Sequence, residues 1–214
     1  MPTALITGGS RGVGAGIVEG LAENGFSVYF TGRDRRRLDQ TAGRARERGG
    51  EVFPRAIDHS DDRQVEELFR EIKENHDLHL LANCAWGGYE RMIEDGRFTW
   101  ADPFWLQPLW RWDAMMVAGV RAAFVASQLA ARQMLDQASG LIVNLSYWSA
   151  QKHLGNVLYG MAKAATDKMT ADMDVDVRPN DVFVISGSTP STLARTEEGL
   201  RCRASREGFG GDRY

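Results

Sequence analysis

The chain has 214 residues and a net charge of −3 at pH 7. This length allows one α/β domain with a large buried core, and a slightly acidic chain has no general attraction for nucleic acid or for anionic membranes. The sequence holds two cysteines, a first strand too near its start for a signal peptide, and no apolar run of membrane-spanning length. We therefore expect a cytoplasmic protein without nucleic-acid or membrane partners.

Strand-like and helix-like segments alternate along the chain. The strand candidates are short and apolar, and they cover residues 4–7, 27–31, 51–56, 78–83, 140–145 and 181–186. Helical patterns separate them, near residues 12–24, 35–48, 61–75, 111–137 and 157–177. This alternation predicts a doubly wound parallel sheet with helices on both faces, which is a three-layer α/β/α Rossmann fold with six strands. The carboxyl ends of parallel strands then share one edge, where ligands bind.

Two regions depart from this alternation. Residues 86–110 form a long connection rich in aromatic side chains, and loops of this length are usually functional or have local structure. After residue 186 the sequence is polar, glycine-rich and without periodicity. We expect a nucleotide-binding domain over residues 1–186 and an irregular, disordered tail over residues 187–214.

A glycine-rich turn follows the first predicted strand directly and leads into a helix. Glycines permit a tight turn and a close approach of the backbone, and the helix N-terminus presents unpaired N–H groups to a pyrophosphate. A glycine loop alone is often only a turn, but its position after the first strand favours dinucleotide binding. The predicted contacts are Gly8, Ser10, Arg11, Gly12, Val13 and Gly14.

Tyr159 and Lys163 are four residues apart on a predicted helix, so both side chains lie on one face. A tyrosine with a pKa near ~10 is a poor proton donor or acceptor at neutral pH, whereas a nearby ammonium favours the phenolate. We expect Lys163 to lower the pKa of Tyr159 into the range of proton exchange with an alcohol or a carbonyl. Taken alone, such a pair is more often a half-buried tyrosine beside a solvated lysine.

The glycine turn and the Tyr159–Lys163 pair together resemble the short-chain dehydrogenase/reductase family. The resemblance extends from about residue 3 to about residue 186. Residues 81–85, 104–105, 112–113 and 156–160 are most similar to the branch named for dehydrogenase/reductase member 1. Members of the family generally continue to a seventh strand, which the sequence after residue 186 does not predict.

The resemblance implies reversible hydride transfer between a nicotinamide and a carbonyl compound or secondary alcohol. The aromatic side chains of Trp86, Tyr147, Trp148 and residues 100–110 would suit a bulky and apolar substrate; their alternative role is ordinary core. Tyr159 would act as the general acid/base, and Lys163 would also hold the nicotinamide ribose. A serine hydroxyl would bind the substrate oxygen. Ser146 is the first candidate for this serine; Ser149 is the second, because Tyr147 stands where the second serine of a pair is expected.

Arginines at two strand ends favour NADP(H) over NAD(H). An acidic residue at the end of the second strand binds the ribose 2′-hydroxyl of NAD, whereas Arg33 stands there in this chain. Arg33 and Arg11 offer guanidinium groups suited to a 2′-phosphate. Asp34, one residue later, is the feature that opposes this interpretation.

Three further cofactor contacts follow from the resemblance. Asp58, after the third strand, would bind the adenine amino group; its alternative role is a helix N-cap. Asn83 and Ala85 match a family segment Asn-Asn-Ala-Gly, in which Trp86 replaces the glycine. The indole of Trp86 would narrow the site or form a wall for the substrate.

An alternative function is a non-catalytic or degenerate NADP(H)-binding protein of the same family. Gly119 stands where an active-site asparagine is expected, and Tyr147 replaces a serine. No metal site is predicted, because the histidines and cysteines lack ligand spacing. The long helices near residues 111–137 and 157–177 would allow a homodimer or a homotetramer.

Overall fold

The computed structural model describes residues 1–188 of the chain. Six parallel strands form a central sheet: β1 (Thr3–Thr7), β2 (Ser27–Gly32), β3 (Glu51–Ala56), β4 (Leu78–Asn83), β7 (Gly140–Ser146) and β8 (Val182–Ser188). Two short strands, β5 (Ile93–Glu94) and β6 (Arg97–Phe98), form a separate antiparallel hairpin. The order in the central sheet is β3-β2-β1-β4-β7-β8, so the chain winds outward in both directions from β1 and β4.

Six α-helices accompany these strands: α1 (Gly12–Glu23), α2 (Arg35–Glu47), α3 (Asp62–Asn75), α4 (Leu109–Met115), α5 (Ala122–Gln137) and α6 (Val157–Val177). Polar side chains cap the N-termini of several helices. At α2, Asp34 accepts a hydrogen bond from the N–H of Arg37, and at α6, Asn156 accepts one from the N–H of Tyr159. These contacts satisfy amide groups that the first turn of a helix leaves unpaired.

The helices lie on both faces of the sheet, as predicted. Side chains of α1 and α2 pack with Ala4 and Ile6 of β1, whereas those of α3 and α5 pack with Leu5 of the same strand. Because neighbouring residues of a strand point to opposite faces, these two groups form separate cores. β1 is buried along its whole length, which explains the apolar run of its three central residues, 4–6.

The predicted Rossmann architecture is confirmed, with three differences in detail. The hairpin of β5 and β6 was not predicted. The helix expected over residues 111–137 contains a π-helical segment, Met116–Arg121, between α4 and α5. β8 extends to Ser188, so the first two residues of the expected disordered tail (187–214) belong to a strand instead. The rest of that tail, residues 189–214, and the expected lack of a seventh strand lie outside the described residues.

One helical stretch, Leu109–Gln137, is long and apolar enough to cross a membrane, with a mean hydropathy of 1.5. The sequence expectation that no segment has this length is therefore wrong. A core helix meets the same criterion, and Ala126, Ala130 and Met134 are fully buried against the sheet. These contacts identify the C-terminal part of the stretch as a core helix of the domain.

Arg111 holds the aromatic connection before α4 in place. Its side chain is fully buried, and its guanidinium donates to the carbonyl oxygens of Thr99 and Arg91, both at 3.1 Å, and to the Thr99 hydroxyl at 2.8 Å. The same guanidinium lies 4.9 Å from the ring centre of Trp110. One cationic side chain thus supplies hydrogen bonds to backbone carbonyl groups of the aromatic connection.

We expect Arg111→Met to lower the free energy of unfolding by about 2–4 kcal/mol, because several buried acceptors lose their donor. Chemical denaturation measures this change. Lys73→Ala, which removes an exposed ion pair with Asp136, serves as the control and leaves stability nearly unchanged. Equal stability of the two variants would contradict the anchoring role of Arg111.

Candidate active site

The carboxyl ends of the central strands open into a cleft of about 270 Å³. Glycine-turn residues, strand ends and the first residues of the aromatic connection form its walls. Most of the sequence-predicted site residues line it, namely Gly8, Ser10, Arg11, Gly12, Val13, Gly14, Arg33, Asp58, Ala85, Ser146, Tyr159 and Lys163. Residues widely separated in sequence therefore meet at one edge of the sheet.

The glycine turn packs so closely that side chains are excluded from two positions. Gly8 has a φ of +68°, and a Cβ atom there would lie 2.8 Å from the backbone of Ala85. A Cβ atom on Gly14 would lie 2.3 Å from the carbonyl oxygen of Gly8. Helix α1 begins at Gly12, within this turn, and no side chain caps its N-terminus. This arrangement fits the pyrophosphate of a dinucleotide, which needs close backbone approach and free N–H groups.

Two arginines converge on one carboxylate at the rim of the cleft. Arg11 Nη2 lies 2.9 Å and Arg33 Nη2 lies 3.5 Å from the same oxygen, Oε1 of Glu90. The Oε2 atom of Glu90 accepts a hydrogen bond from the N–H of Gly88 at 3.0 Å. Asp34 does not take part, because its side chain caps α2. The two guanidinium groups thus form a binding site for an oxyanion.

Asp58 and His59 follow β3 at the same edge. Burial acts to raise the pKa of Asp58, but hydrogen bonds from Ser60 and the charge of Arg33 outweigh it and hold the pKa below its usual value. The His59 ring is buried with Nε2 2.7 Å from the Thr31 hydroxyl, and burial lowers its pKa to about 4. At neutral pH the site therefore has an ionised carboxylate beside a neutral imidazole.

Asn83, like the second serine candidate Ser149, does not line the cleft. Its side-chain amide is buried and donates to Asn144 Oδ1 at 2.8 Å and to Ser127 Oγ at 3.0 Å. Asn144 in turn donates to the Thr170 hydroxyl at 3.0 Å. This network ties β4 to β7 and to helices α5 and α6 beneath the floor of the cleft.

Aromatic rings surround the phenol of Tyr159. The ring centres of Trp86, Tyr89, Trp100 and Tyr147 all lie between 5.3 and 6.0 Å from that of Tyr159. The Tyr89 hydroxyl donates a hydrogen bond to the Tyr159 hydroxyl at 3.0 Å. Burial raises the pKa of Tyr159 to about 12, and its hydrogen bond with Tyr89 acts in the opposite direction.

Lys163 is buried beside Tyr159. Its ammonium donates to the carbonyl oxygen of Leu145 at 2.9 Å and lies 3.7 Å from the ring centre of Trp86. Burial lowers the pKa of Lys163 to about 8. The expectation that Lys163 lowers the pKa of Tyr159 is wrong here, because desolvation disfavours both charged forms and moves the two pKa values in opposite directions.

The two candidate serines differ in orientation. The hydroxyl of Ser146 points to the carbonyl oxygen of Lys163 at 3.5 Å. The hydroxyl of Ser149 is buried without a hydrogen-bond partner within residues 1–188. Ser146 lines the cleft, whereas Ser149 does not.

Sequence reasoning missed Glu90 and the contact between Tyr89 and Tyr159. Glu90 and Tyr89 belong to the aromatic connection, residues 86–110. The length of this connection indicated a functional loop but did not indicate which of its side chains enter the cleft. Within residues 1–188 no group of three histidine, cysteine or acidic side chains is placed to hold a metal ion.

We expect Gly14→Ala to lower the free energy of unfolding by about 1–3 kcal/mol, because the new methyl group overlaps the Gly8 carbonyl. Gly16→Ala is the matched control in the same helix, since a Cβ atom there meets no atom within 4 Å. It should raise stability by up to about 1 kcal/mol. Denaturant melts compare the two, and a neutral Gly14→Ala variant would contradict the close packing of the turn.

Comparison with known proteins supports one family. The family model for short chain dehydrogenase matches residues 2–201. Dehydrogenase/reductase SDR family member 1 of Mus musculus is 34% identical over 184 residues, which cover 85% of this chain and 58% of that relative. The chain therefore spans less than two thirds of the length of this curated relative.

Solved structures share the fold. A metagenomic short-chain oxidoreductase in complex with NADP superposes with a TM-score of 0.80 and 21% identity, covering 100% of this chain and 93% of the other. A 7α-hydroxysteroid dehydrogenase with NADH and 7-oxo glycochenodeoxycholic acid gives a TM-score of 0.76 and 23% identity, covering 86% and 69%. Family match, relative and fold agree: this chain belongs to the short-chain dehydrogenase/reductase family, in the branch of member 1.

Proposed function

We propose that this chain is an NADP(H)-dependent oxidoreductase that acts on a carbonyl compound or a secondary alcohol, with Tyr159 as general acid/base. One observation carries the proposal: Tyr159 and Lys163 line the same cleft as the glycine turn. A bound nicotinamide dinucleotide would supply or accept the hydride.

The protonation states of the site favour reduction of a carbonyl group. Tyr159, with a pKa of about 12, is protonated at neutral pH and can donate its proton to a carbonyl oxygen. Lys163, with a pKa of about 8, is mainly charged at neutral pH and stabilises the phenolate that this transfer leaves. Its charge is lost as the pH rises through about 8. A serine hydroxyl, from Ser149 or Ser146, would bind the substrate oxygen.

The preference for NADP(H) rests on Arg11 and Arg33. Both guanidinium groups reach one oxygen of Glu90, and a 2′-phosphate offers the same kind of acceptor. Of the two solved structures compared above, one binds NADP and the other NADH. Fold alone therefore does not select the cofactor, and these side chains carry the argument.

The remaining parts of the proposal follow from the site and the surface. Trp86, Tyr89 and Tyr147 line the cleft and suit a bulky, apolar carbonyl substrate. Residues 1–186 would form the nucleotide-binding domain of a cytoplasmic protein. Phe124 of α5 and Met161 of α6 are partly exposed, which supports association of subunits through these helices.

Replacement of Tyr159 by Phe tests the chemistry. We expect turnover of NADPH with a panel of aliphatic and aromatic ketones to fall by about 10³-fold, because the proton donor is lost. NADPH affinity should change by less than about threefold. Tyr29→Phe, which removes a buried hydroxyl on the sheet away from the cleft, is the control. Turnover by Tyr159→Phe within about tenfold of the wild-type rate would reject the assigned role.

The outcome also separates the two candidate functions. Wild-type protein that binds NADPH but reduces no ketone of the panel would support the alternative, a non-catalytic NADP(H)-binding protein. Loss of NADPH absorbance with any ketone supports the enzyme.

Glu90→Gln tests the oxyanion site. We expect NADPH affinity to rise about 3- to 10-fold, because the competing carboxylate is gone, while NADH affinity stays nearly constant. Arg33→Ala should weaken NADPH about tenfold and NADH little. Calorimetric titration gives these values, with Glu23→Gln, from an exposed ion pair on α1, as control. Equal changes for NADPH and NADH would contradict the cofactor assignment.

A further inference from the structure

The ammonium of Lys163 has two close neighbours, an aromatic ring and a hydrogen-bond acceptor. It lies 3.7 Å from the ring centre of Trp86 and donates to the Leu145 carbonyl at 2.9 Å. The other ionisable groups that face it are Tyr159, whose ring centre lies 5.8 Å away, Asp167, one turn along α6, and Cys84 at the end of β4. Burial raises the pKa of Cys84 to about 12, so this thiol is neutral. The π face of Trp86 is therefore a principal electrostatic partner of the buried cation.

Gly119 makes room for this indole. A Cβ atom on Gly119 would lie 2.7 Å from Cζ3 and 2.8 Å from Cε3 of Trp86. Gly119 is buried within the π-helical segment Met116–Arg121, and glycine is otherwise an unfavourable residue in a helix. The ring edge thus fills the volume that any side chain at position 119 would need.

No hydrogen bond explains the position of the ring. The indole Nε1 of Trp86 is buried and has no partner within residues 1–188. Contacts of the ring itself hold it: Gly119 at the edge, Lys163 at the face and Tyr159 at 5.7 Å in an edge-on arrangement. Because the indole N–H forms no hydrogen bond within residues 1–188, the position of the Trp86 ring depends on contacts of its π face and on its steric fit.

We propose that Trp86 is a positioning residue for Lys163, whose ammonium it holds against the reactive tyrosine, and that Gly119 is present to admit the indole ring. This inference rests on the proposed role of Lys163. The two departures from the family pattern then form one unit: the side chain missing at position 119 is replaced by the ring at position 86.

The structure suggests a direct test, because the chain has only four lysines, Lys73, Lys152, Lys163 and Lys168. Isotope-labelled lysine gives four side-chain NMR signals, and the one absent in Lys163→Met belongs to Lys163. Its pKa is then measured in the wild type, in Trp86→Phe, which keeps a π face, and in Trp86→Leu, which keeps apolar bulk alone.

We expect Trp86→Leu to lower the pKa of Lys163 by about one pH unit, because the ammonium loses its aromatic partner. Trp86→Phe should lower it by less than half as much. Equal shifts in the two variants, or none in either, would overturn the proposal, since packing alone would then explain the ring. The measurement needs no turnover, so failure of the proposed enzymatic function leaves it unaffected.

A second measurement tests the steric unit without the NMR signal. Gly119→Ala should lower the melting temperature of the wild type, although alanine normally stabilises a helix relative to glycine. In a Trp86→Ala background the same change should be neutral or stabilising, because the space is open. An equal effect of Gly119→Ala in both backgrounds would refute the reciprocal packing.

Discussion

The close approach of two backbones sets the geometry of this site. Gly8, after β1, comes so near Ala85, after β4, that a Cβ atom between them would have no room. The hydroxyl of Thr7 accepts hydrogen bonds from the N–H groups of Cys84 and Ala85, both at 3.1 Å. The turn that offers N–H groups and the strand end that leads to the aromatic connection are thereby fixed to each other. Whatever follows Ala85 starts from a defined point above the cleft.

Residues 86–90 follow Ala85 directly, and three of their side chains contact different parts of the site. Trp86 contacts the Lys163 ammonium, Tyr89 contacts the Tyr159 hydroxyl, and Glu90 bridges the arginines of the rim. These contacts differ in strength. The ion pairs of Glu90 are solvent-exposed, and such pairs contribute little net stability. The buried aromatic contacts exclude water and are stronger. Glu90 is therefore the weakly held and Trp86 the firmly held member of this segment.

Periodicity and motif spacing predicted the sheet, its helices and the meeting of Tyr159, Lys163 and the glycine turn, because these depend on local pattern and on the parallel topology. The pKa values were not predictable, since spacing along a helix does not reveal that desolvation outweighs the attraction between the pair. The place of Asn83 beneath the cleft depends on partners in β7 and α5 far away in sequence. The contacts of Glu90 were likewise not predictable, because only the tertiary structure brings Arg11 and Arg33, which follow two different strands, to its carboxylate.

Gly119 and Trp86 illustrate how the sequence alone and the tertiary structure lead to different conclusions about function. Considered alone, the asparagine missing at position 119 argues for a degenerate site, and the indole at position 86 indicates a narrowed site or a wall for the substrate. In three dimensions the ring of one occupies the space left by the other and meets the ammonium of Lys163. Random loss of function does not lead two distant positions to fill one volume, whereas the proposed positioning of Lys163 by Trp86 accounts for it. The packing at these positions therefore weighs in favour of a working enzyme over a degenerate one.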